Sequence, residues 1–335
     1  MRIADAFRDI TGEFRKVVVG QEETLRLMLV AYFSHGHILF EGVPGLAKTL
    51  MVKALSVILG AEEEPAGAAA TPSAGQPAYT ESFRRVQFTP DMLPSDILGT
   101  MVYSAQEGRF RLHRGPIFCH FLLADEINRT PPKTQSALLE AMEERQVTIE
   151  GEVIPLPADF TVFATQNPLE YEGTYPLPEA QLDRFMMRVK VGYPSRESER
   201  EVLLRYHQGF DAQDIASADL RRLGVSASFS DLRQEVQAVR VRDELFDYIL
   251  DLVQRTRQRS GVILGASPRA GIHLLRGAKA AAALDGRDYI TPDDVAILAP
   301  HVLNHRLILS PELEIEGRKP EDIIGDLLSS LPVPR

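Results

Sequence analysis

Cysteine is nearly missing from this chain of 335 residues: Cys119 is the sole example, so no internal disulfide can form. It lies in the apolar run "PIFCHFLLAD", where a thiol behaves as a small buried hydrophobe. Long apolar runs are missing too, since none approaches the roughly 18–20 consecutive residues that a membrane-spanning helix needs. The opening "MRIADAFRDITGEFRKVV" mixes acids and bases on an amphipathic pattern. It lacks the apolar core and small-residue cleavage site of a secretory leader. Positive charge is in deficit: 37 Lys and Arg stand against 47 Asp and Glu, a net charge of -10. That balance removes the electrostatic term that dominates nucleic-acid binding. These absences lead to the expectation of a soluble, cytoplasmic protein without membrane insertion or a nucleic-acid partner.

What is present is an ordinary globular composition, 44% hydrophobic and 25% charged, on a chain long enough for two domains. Short apolar runs alternate with helical patterns through the first half. Candidate strands are 37–42, 85–89, 117–125, 160–168 and 184–193, nearly continuous in hydrophobicity. That pattern predicts strands covered on both faces, hence a parallel five-stranded sheet between helices and an α/β three-layer core over 1–194. Residues 60–82 are rich in Ala, Pro, Gly and Ser, and are expected to form a flexible insertion. Beyond 194 only helices are expected, among them "ESEREVLLRYHQGF", with "SASFSDLRQEVQAVRV" as an exposed connector entering the bundle. The division is a connector over 195–230, then a smaller α-helical lid domain over 231–335. Ser267-Pro268 and Thr291-Pro292 each place an N-cap hydroxyl before a proline at the first helical position.

The chemistry begins at "ILFEGVPGLAKTLMVKAL", an apolar strand, a Gly-rich turn and a helix. The turn runs Gly42, Val43, Pro44, Gly45, Leu46, Ala47, Lys48, Thr49 and Leu50, the outline of a phosphate-binding loop. Backbone N–H groups between Val43 and Lys48 would wrap an anion, Lys48 would reach the β- and γ-phosphates, and the Thr49 hydroxyl would hold Mg²⁺. Ala47 stands where the standard pattern has glycine, which is acceptable if that position has right-handed, helix-entry dihedrals.

"FLLADEINR" ends a buried strand in Asp125 and Glu126, at the carboxyl edge where parallel sheets bind ligands. Asp125 would bind Mg²⁺, and Glu126 would orient and deprotonate an attacking water. "TVFATQNP" brings Asn167 to the same edge, either for the γ-phosphate and lytic water or as a turn residue before Pro168. Arg184 precedes the last core strand. Arg269 sits in the first turn of a helix, where the dipole disfavours a cation unless an anion is near.

In this order "GVPGLAKT", "LLADEINR", "FATQNP", "LPEAQLDRF" and "GASPRA" resemble the MoxR branch of AAA+ ATPases, and the resemblance covers nearly the whole chain. It implies an ATPase using ATP and Mg²⁺, with Lys48 and Thr49 as Walker A and Asp125 and Glu126 as Walker B. Asn167 matches sensor 1, Arg184 the arginine finger given to the next subunit, and Arg269 sensor 2, acting in cis or in trans. Val19, Gly20 and Gln21 match the segment lining the adenine. The guanine-reading motif N-K-x-D is absent, in keeping with ATP.

Residues 95–118 match a helix-2 insert. Residues 145–157, with a turn at Glu150-Gly151, match a pre-sensor-1 hairpin. Both are expected to reach toward a ring axis. The implied assembly is a homo-oligomeric ring, expected to be a hexamer, remodelling or activating a client such as a von Willebrand factor A domain protein. A metal-chelatase motor subunit is the alternative. A nucleic-acid motor is a lesser one, raised by Arg109, Arg111, His113 and Arg114 in one insert.

Overall fold

A computed structural model describes residues 2–60, 81–105, 108–167, 173–223 and 226–334. The chain opens with α1 (Ile3–Phe14), α2 (Glu22–Phe33), β1 (Ile38–Glu41) and α3 (Lys48–Leu59). It continues through β2 (Glu81–Gln87), α4 (Pro94–Leu98), β3 (Gly99–Ser104), β4 (Arg109–Arg114), β5 (Cys119–Asp125) and α5 (Pro132–Glu144). A hairpin of β6 (Gln146–Ile149) and β7 (Glu152–Pro155) precedes β8 (Thr161–Gln166), α6 (Glu179–Leu182) and β9 (Met187–Lys190). The remainder is α7 (Arg196–His207), α8 (Ser226–Ala238), α9 (Asp243–Gln258), β10 (Val262–Leu264), α10 (Pro268–Leu284) and α11 (Pro292–Leu303). It closes with β11 (Ile308–Leu309), α12 (Pro311–Ile315) and α13 (Pro320–Ser330).

The five expected strands form one parallel sheet in the order β2-β5-β8-β1-β9. Alternate residues divide its two covered faces. Phe40, Phe121 and Phe163 stack beneath Tyr32 of α2, on the side of α1 and α3. Leu39, Leu122, Ala124 and Val162 face Leu138, Leu139 and Met142 of α5. Filling both faces with apolar side chains is what makes each strand read as a continuous apolar run. The Glu150-Gly151 turn has positive φ at both residues (49° and 86°), the twist-matched geometry of a tight hairpin. β3 and β4 form a second antiparallel hairpin within the insert.

Three departures from the sequence reading have clear causes. The segment expected to be an exposed connector contains α8, already helical at Ser226, with Leu232 and Val236 buried. The Arg233 guanidinium of α8 lies 4.6 Å from the Tyr32 ring centroid, a packing partner outside that segment. The expectation of helices alone beyond 194 misses the antiparallel ribbon of β10 and β11, whose three and two residues are too short to show periodicity. Glu81 and Ser82 belong to β2 rather than to the insertion, whose residues 61–80 lie outside the described residues. Among the described residues, no helix is long and apolar enough to cross a membrane.

Candidate nucleotide site

β1 delivers its chain into the Gly-rich turn at the carboxyl edge of the sheet, and α3 begins at Lys48. Gly42 must be small, because a Cβ there would lie 2.7 Å from the Val191 carbonyl oxygen. Gly45 (φ +88°) and Ala47 (φ 57°, ψ 17°) are both left-handed, one on either side of Leu46. The right-handed conformation expected for Ala47 is therefore corrected. Left-handed turns of this kind make backbone N–H groups converge on an anion, and an L-residue with a Cβ holds that geometry at a cost of about 1–2 kcal/mol. Lys48 Nζ donates to the Gly42 carbonyl at 2.6 Å, folding the ammonium back over the loop. Burial lowers its pKa, while the nearby negative charges of Asp125 and Glu126 oppose that shift.

The two acids are held by neighbours that sequence reading did not single out. The Thr165 hydroxyl accepts from the Glu126 backbone N–H at 2.9 Å and donates to Asp125 Oδ1 at 2.5 Å, so one side chain ties both. Arg85 donates to Asp125 Oδ2 from Nε at 3.1 Å and from its terminal nitrogen at 2.6 Å. Gln87 Nε2 donates to Glu126 Oε2 at 2.6 Å, and Arg129 Nε pairs with the same oxygen at 3.0 Å. Glu126 is left-handed (φ 58°), a strained backbone of about 1–3 kcal/mol that clusters at functional sites. Register could have flagged this set, since Gln87 pairs with Asp125 across adjacent strands and Thr165 stands two residues before Asn167. Asn167 is buried at the end of β8.

A cavity of about 920 Å³ brings Val19 and Gln21 together with Pro44 through Leu50. Gly20 lies between Val19 and Gln21 with φ +73°. The opposite wall comes from α7 and the chain around it: Tyr193, Val202, Leu203, Tyr206 and Phe210. The sequence reading predicts a helix at "ESEREVLLRYHQGF" but assigns 195–230 to a connector and gives these residues no part in the site. The signal was there: Glu199, Val202, Leu203 and Tyr206 follow helical spacing on one face. That face is left open, with Leu203 71% and Tyr193 75% exposed. Such an apolar, aromatic wall opposite a phosphate loop suits a flat heteroaromatic base.

Arg184 and Arg269 are brought together, but not here. They line a separate cavity of about 730 Å³ that shares no lining residue with the first. Arg184 Nε pairs with Glu143 Oε2 at 3.0 Å, and the Arg269 guanidinium pairs with Oε1 of the same carboxylate. The anion expected beside Arg269 is thus Glu143. Ser267 precedes the first turn of α10, yet its hydroxyl donates to Asp183 (2.9 Å) instead of capping the helix. At the start of α11 the Asp294 carboxylate accepts from both the Thr291 backbone N–H (2.7 Å) and the Thr291 hydroxyl (2.9 Å), so the acid rather than the hydroxyl holds the helix entry.

The chain matches the ATPase family associated with various cellular activities (AAA) over residues 63–187 and the AAA lid domain over residues 254–327. It is 45% identical to the uncharacterized protein YeaC of Bacillus subtilis (strain 168), over 95% of this chain and 92% of that one. Chaperone MoxR1 of Mycobacterium tuberculosis (strain ATCC 25618 / H37Rv) is 41% identical over 96% of this chain and 81% of its own length. A crystal structure of a candidate ATPase from Cytophaga hutchinsonii superposes with a TM-score of 0.85 at 41% identity, covering 99% of this chain and 96% of that one. With the phosphate loop, the paired acids and a helical lid in one fold, the chain belongs to the MoxR family of AAA+ ATPases.

Proposed function

We propose that this protein is a ring-forming, Mg-ATP-dependent ATPase whose hydrolytic sites lie between copies of the chain, and whose turnover remodels or activates a client protein in a chaperone-like role. The observation that carries this reading is the separation of the two cavities. The phosphate loop lines one, while both candidate transition-state arginines line the other. Neither guanidinium of that pair lines the cavity of its own phosphate loop, which supports their supply by a neighbouring copy.

Within one protomer, the loop N–H groups and Lys48 would hold the phosphates of ATP, and Val19, Gly20, Gln21 and the α7 face its base. Thr49 and Asp125 offer a hydroxyl and a carboxylate, oxygen donors of the type a hard cation takes, and a cation there would replace Arg85 as the positive partner of Asp125. Mg²⁺ bound there would neutralise charge between the β- and γ-phosphates. Glu126 takes the proton of the attacking water, and Asn167 orients that water or the γ-phosphate. Thr165 fixes the backbone of Glu126 and one oxygen of Asp125, which keeps the two acids in one geometry.

A protein client is supported by the insert hairpin, whose Tyr103 and Phe110 rings pack edge to face at 5.4 Å while more than half exposed. Exposed aromatic pairs suit a grip on polypeptide. The net charge of -10 disfavours a nucleic-acid track. A von Willebrand factor A domain protein is the client class the family resemblance implies.

The test is ATP turnover per protomer across protein concentration for wild type, Arg184→Ala, Glu126→Gln and an equal mixture of the two variants. Specific activity rising with concentration, with two inactive variants regaining partial turnover when mixed, is the expected result. Concentration-independent turnover together with a fully active Arg184→Ala would sink the shared-site reading.

A further inference from the structure

Glu143 and Arg269 each stand at the helix end that electrostatically disfavours them. Glu143 is in the last turn of α5, where the partial negative charge of the helix end opposes a carboxylate. Arg269 is the second residue of α10, where the partial positive charge opposes a guanidinium. Neither position is explained by its own helix. They are explained by each other, and by Arg184, because the Glu143 carboxylate takes one guanidinium on each oxygen.

The surrounding cavity makes that carboxylate more than an ordinary surface partner. Its other charged lining residues are Arg145, Arg276 and Lys279, all cations. Arg145 donates to the backbone carbonyls of Ala158 and His35, and Lys279 to that of Gln237, so those contacts supply no negative charge. Five basic side chains therefore surround one acid. Without it, two half-exposed guanidiniums would face each other and three further cations across a partly water-excluded space. Mutual repulsion would then drive them apart.

We propose that Glu143 is a positioning residue, holding Arg184 and Arg269 as a single unit for delivery to the phosphoryl group of a neighbouring copy's ATP. This rests on the reading that those two arginines act in trans. On docking, the phosphoryl oxygens supply the negative charge that Glu143 supplies in the free protomer, and the pair engages together. α5 also links two regions of one protomer, starting six residues after Glu126 and carrying Glu143 in its last turn. The helix that follows a protomer's own acids thereby carries the clamp for the arginines it gives away.

The test uses Glu143→Gln in the full chain, which keeps the side-chain shape and removes the charge. Turnover is measured against ATP concentration at a protein concentration where specific activity has reached its plateau. Expected is a kcat lower by about tenfold or more with KM for ATP within about twofold, the pattern of an interaction lost only in the transition state. Mixing Glu143→Gln with inactive Glu126→Gln should restore turnover, because the first keeps an intact phosphate loop and the second intact arginines. Turnover of Glu143→Gln within about twofold of wild type overturns the proposal, and so does a loss that Glu126→Gln copies fail to restore. The Arg184→Ala and Glu126→Gln mixture separates the two levels. If that control fails to recover activity, the in-trans reading itself falls. If it recovers while Glu143→Gln is fully active alone, only the role of Glu143 falls.

Discussion

Arg306 reaches from the helical lid into the core to donate from Nε to Asp183 Oδ1 at 2.7 Å, and from its terminal nitrogens to the carbonyls of Asp183, Phe185 and Met186. The guanidinium is almost fully buried, so this contact is a strut between the two parts of the chain. Asp183 also accepts from Ser267, which leads into α10, and it is followed directly by Arg184. One carboxylate thus sets where both candidate trans-acting arginines begin.

Breaking that strut should be costly in stability. Asp183→Asn leaves a buried guanidinium without its counter-charge, and the expected destabilisation is about 3 kcal/mol. Urea unfolding monitored by circular dichroism checks it. A midpoint equal to that of wild type would show that the backbone carbonyls alone satisfy Arg306.

Ala47→Gly should be tolerated or mildly stabilising. Relief of a left-handed alanine returns about 1–2 kcal/mol, and the greater freedom of glycine in the unfolded chain removes about 0.5–1 kcal/mol of that. A net gain of up to about 1.5 kcal/mol is expected, with nucleotide affinity changed by less than about tenfold. Denaturation midpoints and nucleotide titration measure both, and a clear loss of stability would contradict a left-handed position 47.

Acidification should destabilise the fold before the carboxylates titrate. The backbone N–H of Val162 donates to His37 Nδ1 at 3.0 Å, so the ring proton sits on Nε2 and is given to the Met142 carbonyl at 3.1 Å. A second proton would meet that N–H head on. Burial, with Arg145 adding to it, pushes His37 down to about 4. Burial first, then nearby arginines, hold His35 down to about 4 and His273 to about 2. Above a pH of roughly 6.5 folded and unfolded rings are both neutral, and nothing is lost. Below it the unfolded rings bind protons that the folded ones refuse, so stability falls as pH falls, by up to about 1.4 kcal/mol per pH unit per histidine. Urea midpoints between pH 7.5 and 5 should decline below pH 6.5 in wild type. Constant midpoints across that range would remove the histidines from the account.

By itself the sequence determined the family, the five-stranded α/β core, the phosphate loop and the paired acids. Those features rest on short contiguous stretches such as "GVPGLAKT" and "LLADEINR", where backbone geometry and side-chain type act within a few residues. The tertiary structure alone decided the handedness of Ala47, which depends on how β1 turns into α3. It alone showed that the apolar face of α7 walls the nucleotide cavity, and that Thr165 and Gln87 brace the acids. It alone set Arg184 and Arg269 on one carboxylate, away from their own phosphate loop. All but the first of these are contacts between residues far apart along the chain. No local pattern encodes such a contact, because its free energy depends on which surfaces the whole fold brings face to face.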